Sequence, residues 1–142
     1  GNYIMSQIEV DKVIPQSGTN LQIGEAGDTI NLTTATVNLP TGVGGISWQA
    51  VKTANFTAVA GEGYFVNTTS GVITATLPSS ATIGNEVSII DYAGTADTNN
   101  ITIGRNGHNI QGAASDMTVS TERAAFTLVY VDSTQGWLLK DK

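Results

Sequence analysis

The sequence predicts an all-β protein: an N-terminal extended β arm or stalk, followed by an antiparallel, jelly-roll-like β-sandwich domain. Three observations predict it. Thr, Gly, Asn, Ile and Val dominate while Lys and Glu are scarce, a mix rich in β-branched and turn residues and poor in those that cover exposed helix faces. No helical periodicity runs longer than about two turns; the best candidate, Thr121 to Ala125, is too short. Turn signals recur roughly every 8 to 12 residues, the rhythm of a sandwich or compact barrel.

The chain falls into two regions, 1–47 and 48–142. The first carries aliphatic–polar–aliphatic triplets: Ile8-Glu9-Val10, Leu21-Gln22-Ile23, Ile30-Asn31-Leu32 and Val37-Asn38-Leu39. Each puts two aliphatic side chains on one face of a short strand. Turn chemistry separates them at Pro15-Gln16-Ser17-Gly18, at Gly24-Glu25-Ala26-Gly27-Asp28 and at Pro40-Thr41-Gly42, and Val43-Gly44-Gly45 reads as a flexible joint. Strands this short cannot close a core alone, so the arm is expected to pack with partner chains. Met5-Ser6-Gln7 reads as a natural start, with Gly1 to Ile4 preceding it.

In the second region strands are expected at about 48–53, 56–60, 63–67, 72–77, 86–92, 100–104, 109–111, 116–120, 124–131 and 136–141. The segments Tyr64 to Ile73 and Val129 to Leu138 match position by position and are read as two hairpins. In each an acidic or amide side chain, Asn67 or Asp132, opens the turn, and a glycine, Gly71 or Gly136, closes it where φ must be positive. Asn106-Gly107 supplies the strongest signal for a third hairpin, spanning Ile101 to Ile110.

Composition removes several function classes. There is no cysteine, hence no disulfide or thiolate metal site. The net charge is -6, with no basic cluster among six Lys and Arg, so phosphate-driven binding of nucleic acid is not expected. No apolar run is long enough to span a membrane, so no membrane insertion is expected. His108 is the only histidine, which forbids a multi-histidine metal site within one chain. Asp91, Asp97 and Asp132 lie at turns, where carboxylates usually cap backbone donors. No nucleophile–base pair or carboxylate dyad stands out; no catalytic residue, metal site or cofactor is assigned, and the protein is read as no enzyme. Trp48, Phe56, Phe65, Phe126, Tyr130 and Trp137 are assigned to the core or a subunit seam. Tyr64 and Tyr92, next to glycine-rich turns, are the tyrosines expected to be exposed. An exposed tyrosine beside Asn and Arg donors can serve as a carbohydrate platform, so Tyr92, Arg105, Asn106 and His108 are the candidate ligand or receptor contacts.

Two stretches carry a family resemblance. Val10 to Thr19 with Leu21 to Asp28 resembles the opening of tail-fibre and virion structural proteins of marine and cyanobacterial tailed bacteriophages. Ile73 to Pro78, Asp91 to Thr95, Asn99 to Ile103, Arg105-Asn106-Gly107 and Leu128 to Val131 ahead of Gln135-Gly136-Trp137 are similar to a domain of the same proteins. The resemblance implies a β-rich, commonly trimeric fibre element of the virion, assembled in the host cytoplasm. It would contact other virion proteins and serve particle assembly and host-surface attachment, with a host surface glycan as ligand. Rival readings are a capsid decoration (head fibre) protein, a monomeric carbohydrate-binding β-sandwich module and a depolymerase fragment.

Overall fold

The computed structural model describes residues 8–32, 36–38 and 45–141. The chain divides into two units, 1–38 and 39–142, each taken by itself below. The Pro40-Thr41-Gly42 turn, Met5 and the residues before it, and all of the Val43-Gly44-Gly45 joint except Gly45 lie outside the described residues.

The described part of the first unit contains no strand, contrary to the triplet expectation. Its turns form as their chemistry requires. The Asp28 carboxylate accepts the Glu25 N–H at 2.7 Å, the Asp28 N–H donates to the Glu25 carbonyl at 3.1 Å, and Gly24 and Gly27 take positive φ of 80° and 96°. The aliphatic residues between these turns stay in water: Ile8 is 85% and Ile23 61% exposed. Alternation makes a strand possible, but a strand needs a ladder partner, and among the described residues of this unit none pairs as one.

The second unit is all β, built from β1 (Ser47–Trp48), β2 (Phe56–Thr57), β3 (Glu62–Val66), β4 (Ile73–Thr76), β5 (Glu86–Asp91), β6 (Ile101–Gly104), β7 (Met117–Val119), β8 (Ala125–Asp132) and β9 (Gly136–Leu139). One sheet has the order β1-β3-β5-β8-β9 and the other β2-β4-β6-β7. The chain therefore crosses between sheets at every step from β1 to β6, and the strands it lays side by side are parallel. It then reverses: β7 runs antiparallel to β6, β8 to β5, and β9 to β8. The result is a sandwich-like pair of mixed sheets, three parallel coils closed by antiparallel strands, and not the antiparallel jelly roll expected.

The first matched segment explains the difference. β3 and β4 belong to different sheets, so Tyr64 to Ile73 is a corner and not a hairpin. Asn67 still opens it, with Oδ1 accepting the Thr69 N–H at 3.1 Å. The corner is held inside by Thr68, fully buried, whose hydroxyl pairs with that of Thr95 at 2.8 Å and whose carbonyl accepts Asn99 Nδ2 at 2.9 Å. Gly71 ends it at φ 151°. The second matched segment is a true hairpin: Asp132 Oδ1 accepts the Thr134 and Gln135 N–H groups at 3.0 and 2.8 Å, and Gly136 follows at φ 70°. Identical turn chemistry thus serves two different connections.

Alternating positions of both sheets point to one core. Tyr64, Val66, Val87, Ile89, Leu128 and Trp137 from the first sheet meet Ile73, Ala75, Ile101, Ile103 and Val119 from the second. Tyr64 is buried, not exposed as expected. Its hydroxyl accepts the Val59 N–H at 2.7 Å and donates to the Glu62 carboxylate. Burial first, then the bond to Glu62, push the phenol well above its ordinary pKa.

Candidate functional site

The strand registers decide which candidate residues can meet. Pairing of Ile90 with Ala125 and of Val66 with Asp91 puts the C-terminal ends of β3 and β5 beside the start of β8. Tyr92 sits at that end. Its N–H donates to the Val66 carbonyl and its own carbonyl accepts Arg123 Nη1 at 2.8 Å. Arg105, Asn106 and His108 follow β6 and lie at the opposite end, next to Leu77 after β4 and Tyr130 late in β8. The four candidate contacts therefore do not form one site.

Arg105 to His108 is a tight turn, closed by the His108 N–H on the Arg105 carbonyl at 3.1 Å, with positive φ at Asn106 (47°) and Gly107 (88°). The turn is as expected; the hairpin around it is not. β6 pairs with β7 instead, and residues 109–111 bridge to Ala113 and to Trp137 in β9. The Arg105, Asn106 and His108 side chains each make a bond within the protein. Asn106 Nδ2 donates to the Leu77 carbonyl at 2.9 Å, Arg105 Nη1 to the His108 carbonyl at 3.0 Å, and His108 Nε2 lies 2.8 Å from the Ser79 carbonyl. The His108 ring, half-buried and not exposed, packs edge-on against Tyr130 with centroids 5.1 Å apart. Tyr92 is half-exposed, as expected.

Asp91 ties the other end together. Buried at the end of β5, it accepts N–H groups from Thr95, Ala96 and Arg123 at 3.3, 3.1 and 3.0 Å. Burial alone would raise its pKa; the surrounding backbone donors outweigh it and hold the carboxyl below its ordinary value. With its oxygens so committed, it caps backbone and does not face an ion. Among the described residues no group of three or more His, Asp or Glu side chains could hold a metal.

A second open aromatic site lies at Trp48, a residue the sequence assigns to the core or a subunit seam. Trp48 is 47% exposed. It pairs with Gly63, which pairs with Ser88, which pairs with Thr127, so the four share one row across β1, β3, β5 and β8. Tyr64 and Ile89 on one adjoining row, and Val87 and Leu128 on the other, face the core, so this row lies on the sheet's outer face. The indole rests on Gly63: a Cβ there would fall 2.5 Å from the ring carbon Cε3. Phe65, two residues along the same face, meets the ring at 5.0 Å between centroids. Next to it lies a shallow trough of about 180 Å³, lined by Ile90, Ala125, the Ser88 and Thr127 hydroxyls and Asp141. The signal was present in the sequence as a glycine inside a strand, which marks close approach by another group.

The chain matches no protein-family model and no curated protein.

Proposed function

We propose that this chain is a non-catalytic structural module of a bacteriophage virion, a fibre or appendage subunit. It works as a homo-oligomer, with three-fold symmetry, that joins other virion proteins and presents a surface to the host. One observation carries the reading: residues 8–37 hold nine large aliphatic side chains in water, from Ile8 to Val37. Exposed apolar surface on that scale is unstable in an isolated chain and signals a partner. The body offers matching geometry. Among the described residues, β1 and β2 each pair on one side only, so the first coil leaves an edge open in both sheets, while residues 109–112 bond along the far edge at β9. Open edges are completed by added strands, and closed symmetry covers each chain with its neighbour. A non-catalytic role is supported by the way Asp91, Asp116, Asp132 and His108 all bond to backbone groups.

Sedimentation equilibrium tests the assembly. The full chain should sediment as a trimer at micromolar concentration, and the triple change Leu21→Ser, Ile23→Ser, Ile30→Ser should release monomers whose far-UV spectrum retains the β signal. A wild-type monomer with an arm resistant to protease would overturn the reading. Immunogold labelling of particles carrying the protein should mark a fibre or surface appendage.

A further inference from the structure

We propose that the outer face of the five-stranded sheet holds a saccharide subsite, in which Trp48 stacks on one pyranose ring and the Ser88–Thr127 hydroxyl pair and Asp141 bind its hydroxyl groups.

The platform is built and not incidental. A tryptophan left half in water forgoes burial that its large ring would otherwise gain. A glycine within a strand also weakens that strand. Here the two go together: only a residue without Cβ lets the indole lie on β3, because a Cβ at Gly63 would come within 2.6 Å of both Cε3 and Cζ3. Phe65 supports the ring at an interplanar angle of 32°. The indole is thus held in one orientation with part of its surface free, which lowers the entropy lost when a ligand stacks on it.

The polar groups follow on the same row. Ser88 Oγ and Thr127 Oγ1 are 2.8 Å apart, and either can be the donor. Ser88 is buried at 4% exposure, so it anchors the half-buried Thr127 hydroxyl, which turns its remaining hydrogen-bonding capacity to a ligand. Asp141 adds an acceptor-only group to the trough. A ligand that fits needs a flat apolar face for the indole and neutral donors and acceptors around its rim, which is the chemistry of a pyranose. A phosphorylated or nucleic acid ligand is disfavoured by Asp141 and by a net charge of -6. An aromatic side chain from another protein would leave the hydroxyl pair and the carboxylate without partners.

The subsite gives the attachment reading its ligand class and rests on that reading for its biological role. The two fail separately, because association is read by sedimentation of the arm and the subsite by Trp48. The chain has two tryptophans, and Trp137 is fully buried, so acrylamide quenching of the full chain reports Trp48. Titration uses methyl glucopyranoside, methyl galactopyranoside, methyl mannopyranoside and N-acetylglucosamine. At least one should reduce the quenching constant about twofold near saturation, by covering one face of a half-exposed ring. Gly63→Ala keeps the indole but displaces it, and should weaken that sugar about tenfold. Trp48→Ala, at an exposed position that keeps the fold, should abolish saturation transfer to the sugar in NMR. The proposal is overturned if no sugar of the panel protects Trp48, or if Trp48→Ala binds the sugar as wild type does. It is equally overturned if Trp48 resists acrylamide in the sugar-free protein, which would make the face a seam between copies.

Discussion

Residues 8–38 and residues 47–141 are written in the same style, short aliphatic–polar alternations separated by Gly, Pro, Asn and Asp. In the second region each alternation meets another: Ile73 and Ala75 of β4 pair with Ile101 and Ile103 of β6, and all four are buried. In the first, Leu21 and Ile23 or Ile30 and Leu32 have the same spacing and remain exposed. Alternation fixes which side chains share a face, but the stabilisation comes from apolar area removed from water, at roughly 25 cal/mol per Å². A triplet presents too little of it to offset the entropy of ordering the backbone. The described part of the arm has the alternation without strands; the body has both.

The largest effects are expected at two glycines of the body, and they are unequal. Gly136 has φ 70°, and a Cβ there would lie 1.8 Å from the Asn109 carbonyl oxygen, the same oxygen that accepts the Trp137 N–H at 2.9 Å. Gly136→Val should therefore destabilise the body by about 3 kcal/mol or more, through backbone strain and the displacement of residues 109–112. Gly71→Val, at φ 151° with nothing within 4 Å, should cost only about 1–2 kcal/mol, from conformation alone. Equal melting temperatures for the two variants would show that the Asn109 contact is not formed.

Next in size is Asp91. Asp91→Ala leaves several buried N–H groups without an acceptor and should cost about 2–3 kcal/mol. The carboxyl titrates below its ordinary value of 3.8 in the folded protein, so its contribution is fully present above that pH. It is lost as pH falls through the lower, folded value. Acid unfolding of the wild type should therefore steepen below about pH 4, and Asp91→Asn should flatten that part of the curve. An unchanged acid limb in Asp91→Asn would remove Asp91 as its cause.

How far the sequence could be read follows from the kind of interaction involved. The positions of the longer strands were legible where burial follows a period of two, as in Ile73 and Ala75 of β4. Turn chemistry at Asn67, Asp132 and Asn106-Gly107 was legible because it is local. Strand pairing was not: Asn67 to Gly71 and Asp132 to Gly136 share one turn pattern, an Asn or Asp opening and a Gly closing. Only contacts from distant residues, Thr95 and Asn99 onto Thr68 in one case and Asn109 onto Trp137 in the other, decide corner or hairpin. The placement of the candidate contacts was illegible for a related reason: that Tyr92 lies at the other end of the sheets from Arg105, and that Asn106 bonds to the Leu77 carbonyl, depends on distant residues. Trp48 is not core, because its seat is Gly63 on another strand and that contact is not visible in the sequence.

A smaller effect is expected at His108. Loss of the bond to the Ser79 carbonyl and of the edge contact with Tyr130 should make His108→Ala about 1 kcal/mol less stable. A freely exposed turn residue would cost under about 0.5 kcal/mol. A chemical denaturation midpoint indistinguishable from wild type would place the ring in solvent.

The smallest effect should come from the arm, and it bears most directly on the difference between the two regions. Gly18 has φ 76° and open space around its Cα, so Gly18→Ala introduces local strain of about 1 kcal/mol and no collision. In the body a change of that size would lower the melting temperature by several degrees, because every strand shares one core. Among the described residues of the arm there is no strand to lose and no buried side chain to disturb, so the cooperative transition of the body should be unmoved. A measurable fall in the body's melting temperature would mean that the arm contributes to the same folding unit. The same variant, measured in the assembled oligomer, should weaken association if the turn at Pro15 to Gly18 sets the spacing between arm segments that pack on neighbouring chains.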